Sequence, residues 1–139
     1  FEKNFLGDAG SYCVSFLVGY LCINFATQNS QLSPFFIVLI LWYPAWENLF
    51  SIIRRAKKNI VTTGPDKMHL HHIIFSFLKK NFIYKKIYLN SFTGLLINIF
   101  NLSIFFVGTV FYNQTNILVM LILFSVLIYI FVYKFLGYK

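Results

Sequence analysis

Four stretches of this 139-residue chain are long and apolar enough to cross a lipid bilayer, and that pattern constrains the fold more than any other feature. A spanning helix needs about 20 mostly apolar residues. The windows run over about residues 9–27, 33–53, 91–112 and 117–136. The chain is 58% hydrophobic and only 12% charged, where a soluble domain carries about 25% charged residues. A chain this short has too little interior to hide so much Phe, Ile and Leu from water. Lipid removes the conflict, because a helix in lipid satisfies its own backbone hydrogen bonds and shows its side chains to hydrocarbon. The expected fold is all-α: a polytopic membrane protein with about four transmembrane helices in one membrane domain over residues 1–139.

The connections decide the orientation. Residues 28–32 and 113–116 are short, polar and uncharged, whereas the loop over residues 54–90 is long and basic. It holds Arg54, Arg55, Lys57, Lys58, Lys67, Lys79, Lys80, Lys85 and Lys86, while Lys3 precedes the first span and Lys134 and Lys139 close the last. With four spans, all 12 basic residues fall on one side. Lys and Arg concentrate in cytoplasmic loops, so the loop 54–90 and both termini are expected in the cytoplasm. The net charge of +8 is divided among apolar runs and forms no basic domain, which argues against nucleic acid. Within the loop, Ile73, Ile74, Phe77 and Leu78 recur at helical spacing ahead of Lys79 and Lys80. That segment is too short to cross and reads as a helix lying at the interface. In the second span, Pro44 predicts a kink and Glu47 a polar inner end. Cys13 and Cys22 would stand about 13 Å apart on one helix, beyond the roughly 7 Å that a disulfide spans.

Three polar clusters fall on the basic side. In Asn4-Phe5-Leu6-Gly7-Asp8-Ala9-Gly10-Ser11, the glycines Gly7 and Gly10 allow close backbone approach. Asp8 there suits a hard cation such as Mg²⁺, held by one or two carboxylates plus phosphate oxygens. Equally, its carboxylate can cap the first helix by accepting an N–H bond. Glu47 and Arg54 are two helical turns apart on one face, which fits a structural ion pair. Arg54 and Arg55 also fit phosphate, which the guanidinium fork matches. The third cluster, Pro65-Asp66-Lys67-Met68-His69-Leu70-His71-His72, holds all 3 histidines of the chain. Zinc lacks a fourth ligand nearby, and imidazole matches Mg²⁺ poorly. Imidazole N–H groups beside Lys67 can donate to phosphate, and a solvated polar turn explains the run as well. If Asp66 caps a short helix, His69 and His72 share a face and His71 points elsewhere.

FLGDAGS over residues 5–11 and PDKMHLHH over residues 65–72 resemble, in order and separation, the polyprenyl-phosphate N-acetylhexosamine-1-phosphate transferases. The stretch from Tyr43 to Arg55 looks like the branch devoted to surface polysaccharides. The resemblance implies transfer of a sugar 1-phosphate from a UDP-N-acetylhexosamine to undecaprenyl phosphate, with release of UMP, at the bacterial inner membrane. It implies Asp8 as a Mg²⁺ ligand, His69, His71 and His72 at the nucleotide diphosphate, and Arg54, Arg55, Asp66, Gly7 and Gly10 around the substrates. Leu70 interrupts the histidine run of the peptidoglycan branch, which disfavours a muramoyl-pentapeptide substrate. The family's paired aspartates are absent, since the chain has only 4 acids: Glu2, Asp8, Glu47 and Asp66. Together with a first residue, Phe1, that is not Met, this suggests the C-terminal portion of a longer enzyme. A homodimer is compatible with this reading. Two rivals remain: a non-catalytic subunit or inactive remnant, and a small transporter with Asp8 and Glu47 along an ion path. The last would need polar residues in mid-span, where the third and fourth spans offer Asn98, Asn101, Ser103, Thr109 and Ser125.

The orientation is tested by single-cysteine labelling in a background lacking Cys13 and Cys22. A cysteine at position 58 is expected to label from the cytoplasm, and cysteines at 29 and 114 from outside. Labelling of position 58 from outside would overturn it.

Overall fold

The structure, a computed structural model, describes residues 7–57, 68–81 and 86–137. It is all helical among these: α1 Gly7–Gln28, α2 Pro34–Lys57, α3 Leu70–Asn81, α4 Lys86–Val110 and α5 Thr115–Gly137. Four of the helices, all but α3, are long and apolar enough to span a bilayer. The second is unbroken through Pro44. The fourth starts some five residues ahead of the apolar window, because Leu89 and Thr93 near its start are buried. Cys13 and Cys22 are free.

Two hairpins make the bundle, and contacts at both ends fix their mutual placement. At one end the two short turns meet: the Ser33 N–H donates to the Tyr112 carbonyl at 3.0 Å, and the Ser33 and Thr115 hydroxyls lie 2.8 Å apart. At the other end, α2 side chains reach the last turns of α5. The core lies between α2, α4 and α5. Phe36, Leu39 and Trp42 recur every three residues along α2 and pack with Ile104, Leu118 and Tyr129. Gly108 is buried, and a Cβ there would collide with Leu39, so the absent side chain is what lets α2 and α4 close together.

The outer surface is the reverse of a soluble protein's. Phe16 is 78% exposed, Phe106 74% and Phe131 69%. Such a surface suits a membrane and not water. Several polar side chains inside the spans turn back on their own helices. The side chains of Asn101, Ser103, Thr109 and Ser125 donate to the carbonyls of Ile97, Phe100, Phe106 and Leu121. These bonds settle the donor groups of the spans within their own helices.

The short helix α3 is longer than its apolar cluster suggests. Leu70, Ile73 and Leu78 are buried, and the helix packs on α4 and α5. It rests on the basic end of the bundle with one face toward protein. By contrast, α1 has no buried residue and packs against α2.

Gly108→Val should lower the thermal unfolding midpoint of the detergent-solubilised protein, by the ~1–3 kcal/mol typical of overpacking. A midpoint equal to that of the parent protein would show that α2 and α4 do not depend on this approach.

Candidate functional site

The site grows from one buried carboxylate. Glu47 sits in the last half of α2, its side chain only 12% exposed. Burying a carboxylate is costly unless it is paired and hydrogen-bonded. Three donors from two other segments meet that need. The His69 Nδ1 lies 3.0 Å from Oε1, and the Leu70 N–H donates to the same oxygen at 2.9 Å. The Tyr129 hydroxyl of α5 donates to Oε2 at 2.9 Å. A carboxylate can only accept, so Nδ1 of His69 carries a proton and Nε2 is left for other contacts.

This arrangement explains how α3 begins. The His69 carbonyl accepts from the His72 and Ile73 N–H groups, making His69 the residue that opens the helix. Its side chain is not a hydroxyl or carboxylate that can cap the first turn. Glu47 supplies that cap from another helix, placing negative charge at a helix N-terminus where the dipole favours it.

A second clamp holds the residue before. The Arg54 guanidinium donates through Nη1 to the Met68 carbonyl and to the Tyr133 hydroxyl at 2.6 Å. Its Nη2 donates to Ser51 Oγ at 3.3 Å. Tyr133 in turn donates to the Met68 carbonyl at 3.1 Å, and Arg54 lies 5.9 Å from the centre of the Tyr133 ring. The ion pair expected between Glu47 and Arg54 is therefore not the one formed. Glu47 pairs with His69, because α3 folds back between them and brings its own donors. Arg54 acts on the protein backbone, and Arg55 is half-buried beside it on α2.

The three imidazoles form one cluster. His69 and His71 stack, with ring centres 5.7 Å apart and planes 10° from parallel. His71 and His72 have centres 4.2 Å apart. The expectation that His71 points away is corrected: residue 69 precedes the helix, so helical spacing does not govern its ring. Burial first, then repulsion from His72 and His69, holds His71 below the ordinary histidine value of 6.5, against an opposing pull from Glu47.

Asp8 is exposed in the first turn of α1. Gly7, which opens α1, has a φ of +65°, a conformation that side chains other than glycine resist. Gly10 is half-buried in the same turn. The Ser11 hydroxyl donates to the Gly7 carbonyl at 2.8 Å. No N–H among the described residues donates to Asp8, so the capping interaction is not formed. Nor does any group of three or more His, Cys, Asp or Glu side chains among the described residues come together as a metal centre. The structure thus unites Glu47, Arg54 and the histidines, while Asp8 stands on a separate helix. Asp66 lies outside the described residues. Tyr129 and Tyr133 were not singled out from the sequence. Their signal is two tyrosines one turn apart near the basic end of an otherwise apolar span.

Fold and site together define a polytopic α-helical membrane protein whose basic end carries a carboxylate-held histidine cluster. Among curated proteins, the chain is 35% identical over 82 residues to the decaprenyl-phosphate N-acetylglucosaminephosphotransferase of Mycolicibacterium smegmatis, covering 50% of this chain and 20% of that protein. It is 32% identical over 74 residues to the undecaprenyl-phosphate alpha-N-acetylglucosaminyl 1-phosphate transferase of Salmonella typhi, covering 52% and 20%. A probable undecaprenyl-phosphate N-acetylglucosaminyl 1-phosphate transferase of Bacillus subtilis is 32% identical over 76 residues, covering 54% and 21%. The chain spans about a fifth of the length of these curated relatives. No family model matches it, and no solved structure does so significantly. Over about half its length the chain is similar to polyprenyl-phosphate N-acetylglucosamine-phosphotransferases.

Two outcomes test the site. Glu47→Ala should cost about 2–3 kcal/mol of stability by stranding buried donors, and Tyr129→Phe about 1 kcal/mol. The double variant should lose less than the sum. In an NMR titration, His71 should protonate below pH 6.5. Because its folded value is lowered, its contribution to stability is fully present above 6.5 and is lost as pH falls through the folded value.

Proposed function

We propose that this chain serves an enzyme that transfers N-acetylhexosamine 1-phosphate from a UDP-sugar to undecaprenyl phosphate, releasing UMP, at the start of cell-envelope polysaccharide synthesis. The observation that carries the reading is the cluster of His69, His71 and His72, tied by Glu47 to the basic end of a membrane bundle. In the reaction, an oxygen of the lipid phosphate bonds to the sugar-bearing phosphorus as the bond from that phosphorus to UMP breaks. Phosphoryl transfer asks a protein mainly to position its reactants and to offset charge. The imidazole cluster supplies N–H donors for phosphate oxygens, and Glu47 keeps His69 in one tautomer and orientation. Arg54 fixes the backbone that presents the cluster. Arg55 and, by the resemblance, Asp66 complete the substrate environment.

Asp8 is the carboxylate that would hold Mg²⁺. A single exposed carboxylate beside two glycines fits an ion that arrives on a diphosphate, as Mg²⁺ commonly does, and does not make a cage of its own. That ion would offset phosphate charge. The same reading puts the chain in the bacterial inner membrane with loop 54–90 and both termini in the cytoplasm, supported by the grouping of the basic residues on one side.

Membranes from cells expressing the full gene product should release UMP from UDP-N-acetylglucosamine, dependent on undecaprenyl phosphate and Mg²⁺. Asp8→Asn should reduce the rate on the order of 100-fold, and Glu47→Gln, which replaces the carboxylate that orients His69, should lower it as well. A rate within about threefold of the parent for Asp8→Asn would remove the metal role. Absence of any UMP release with every UDP-N-acetylhexosamine would overturn the reading.

A further inference from the structure

A groove of about 340 Å³ runs between α3 and the end of α5, apart from the Glu47 contacts. Two rows of side chains line it. His72, Ser76 and Lys80 recur every four residues, so they form one polar stripe along α3. Beside them Ile73, Phe77 and Leu136 form an apolar wall. The end of α5 comes close: a Cβ on Gly137 would lie 3.9 Å from Ile73 Cδ1.

The lining selects its occupant by charge and polarity. A soluble anion would satisfy Lys80 and leave the apolar wall wet. A pure hydrocarbon would fill the wall and strand the polar stripe. A molecule with an anionic head and a hydrocarbon body answers both. The depth agrees, because α3 does not cross the bilayer and sits where the last turn of α5 ends, among the basic residues. That is the level of phospholipid headgroups, where a basic groove between membrane helices suits an anionic lipid. His72 belongs to the histidine cluster as well, whereas no residue of α1, which carries Asp8, lines the groove; Ser76 and Lys80 are polar groups of the groove outside that cluster.

We propose that this groove binds an anionic phospholipid of the surrounding leaflet. The headgroup phosphate lies on Lys80 with the Ser76 hydroxyl, and hydrocarbon lies over Ile73, Phe77 and Leu136. The bound lipid pins α3 to the membrane surface and so steadies the histidine cluster at its start. The inference needs only the membrane placement of the bundle, since the headgroup contacts, Lys80 and Ser76, have no part assigned in the transfer reaction.

Native mass spectrometry of the full protein, released from detergent, tests this with phosphatidylglycerol, phosphatidylcholine, inorganic phosphate and undecaprenyl phosphate in parallel. Phosphatidylglycerol is expected to stay bound at one per chain and phosphatidylcholine to leave. Lys80→Gln and Ser76→Asp should each weaken the adduct at least about fivefold, the worth of one cation near an anionic headgroup. Lys134→Gln, which removes an exposed cation that does not line the groove, should leave it unchanged. Equal loss with Lys134→Gln would reduce the effect to general charge and overturn the site. So would equal retention of phosphatidylcholine, binding of inorganic phosphate alone, or retention of undecaprenyl phosphate with none of phosphatidylglycerol.

Discussion

The carboxylate of Glu47 is the group on which the basic end of the molecule depends. Removed from water, a carboxylate needs donors, and a single helix cannot supply them, because its own N–H groups are already used. Those donors come from α5 and from the start of α3. The consequence is mutual. Glu47 is made tolerable by Tyr129, His69 and the Leu70 N–H, and α3 acquires an N-terminal cap that the His69 side chain does not provide. Arg54 repeats the pattern on the Met68 carbonyl, through Tyr133 of the same helix α5. Two charged residues of α2 and two tyrosines of α5 thus set where residues 68–70 lie, and with them the imidazoles.

Polar chemistry in this fold is sorted by position. Within the spans, hydroxyls and amides return to carbonyls of their own helix and remain silent toward their neighbours. At the basic end they reach between elements. The sorting follows from solvent: hydrocarbon offers no alternative partner, so a mid-span group settles locally. Near the headgroups, water and mobile side chains make longer connections competitive.

Much of this was legible in the chain itself. The spans could be read because a bilayer demands some 20 apolar residues and little else imitates that pattern. Lys79 and Lys80 marked the end of α3, and its apolar spacing showed that it was a helix. Its packing against α4 and α5 was not legible, since Ile73 and Leu78 look the same whether they meet lipid or protein. Glu47 was recognised as polar in an apolar setting, but assigned to Arg54, the nearest cation on its own face. Its real partners lie 22, 23 and 82 residues away, and spacing along one helix says nothing about such pairs. Asp8 is the opposite case. Its motif is distinctive, yet α1 has no buried residue, so packing does not carry it to the histidines, and its role rests on the resemblance.

The sharing of donors between α2 and α5 also bears on how the protein is made. Helices enter the membrane in chain order, and α2 is inserted well before α5 has been synthesised. Until then Glu47 lacks Tyr129, Arg54 lacks Tyr133, and residues 68–70 are without half of what holds them. A nascent chain stalled ahead of α5 would carry an under-satisfied carboxylate near the membrane surface. Completion of α5 supplies both partners, so the two tyrosines that shape the site also set the point in synthesis at which it can form.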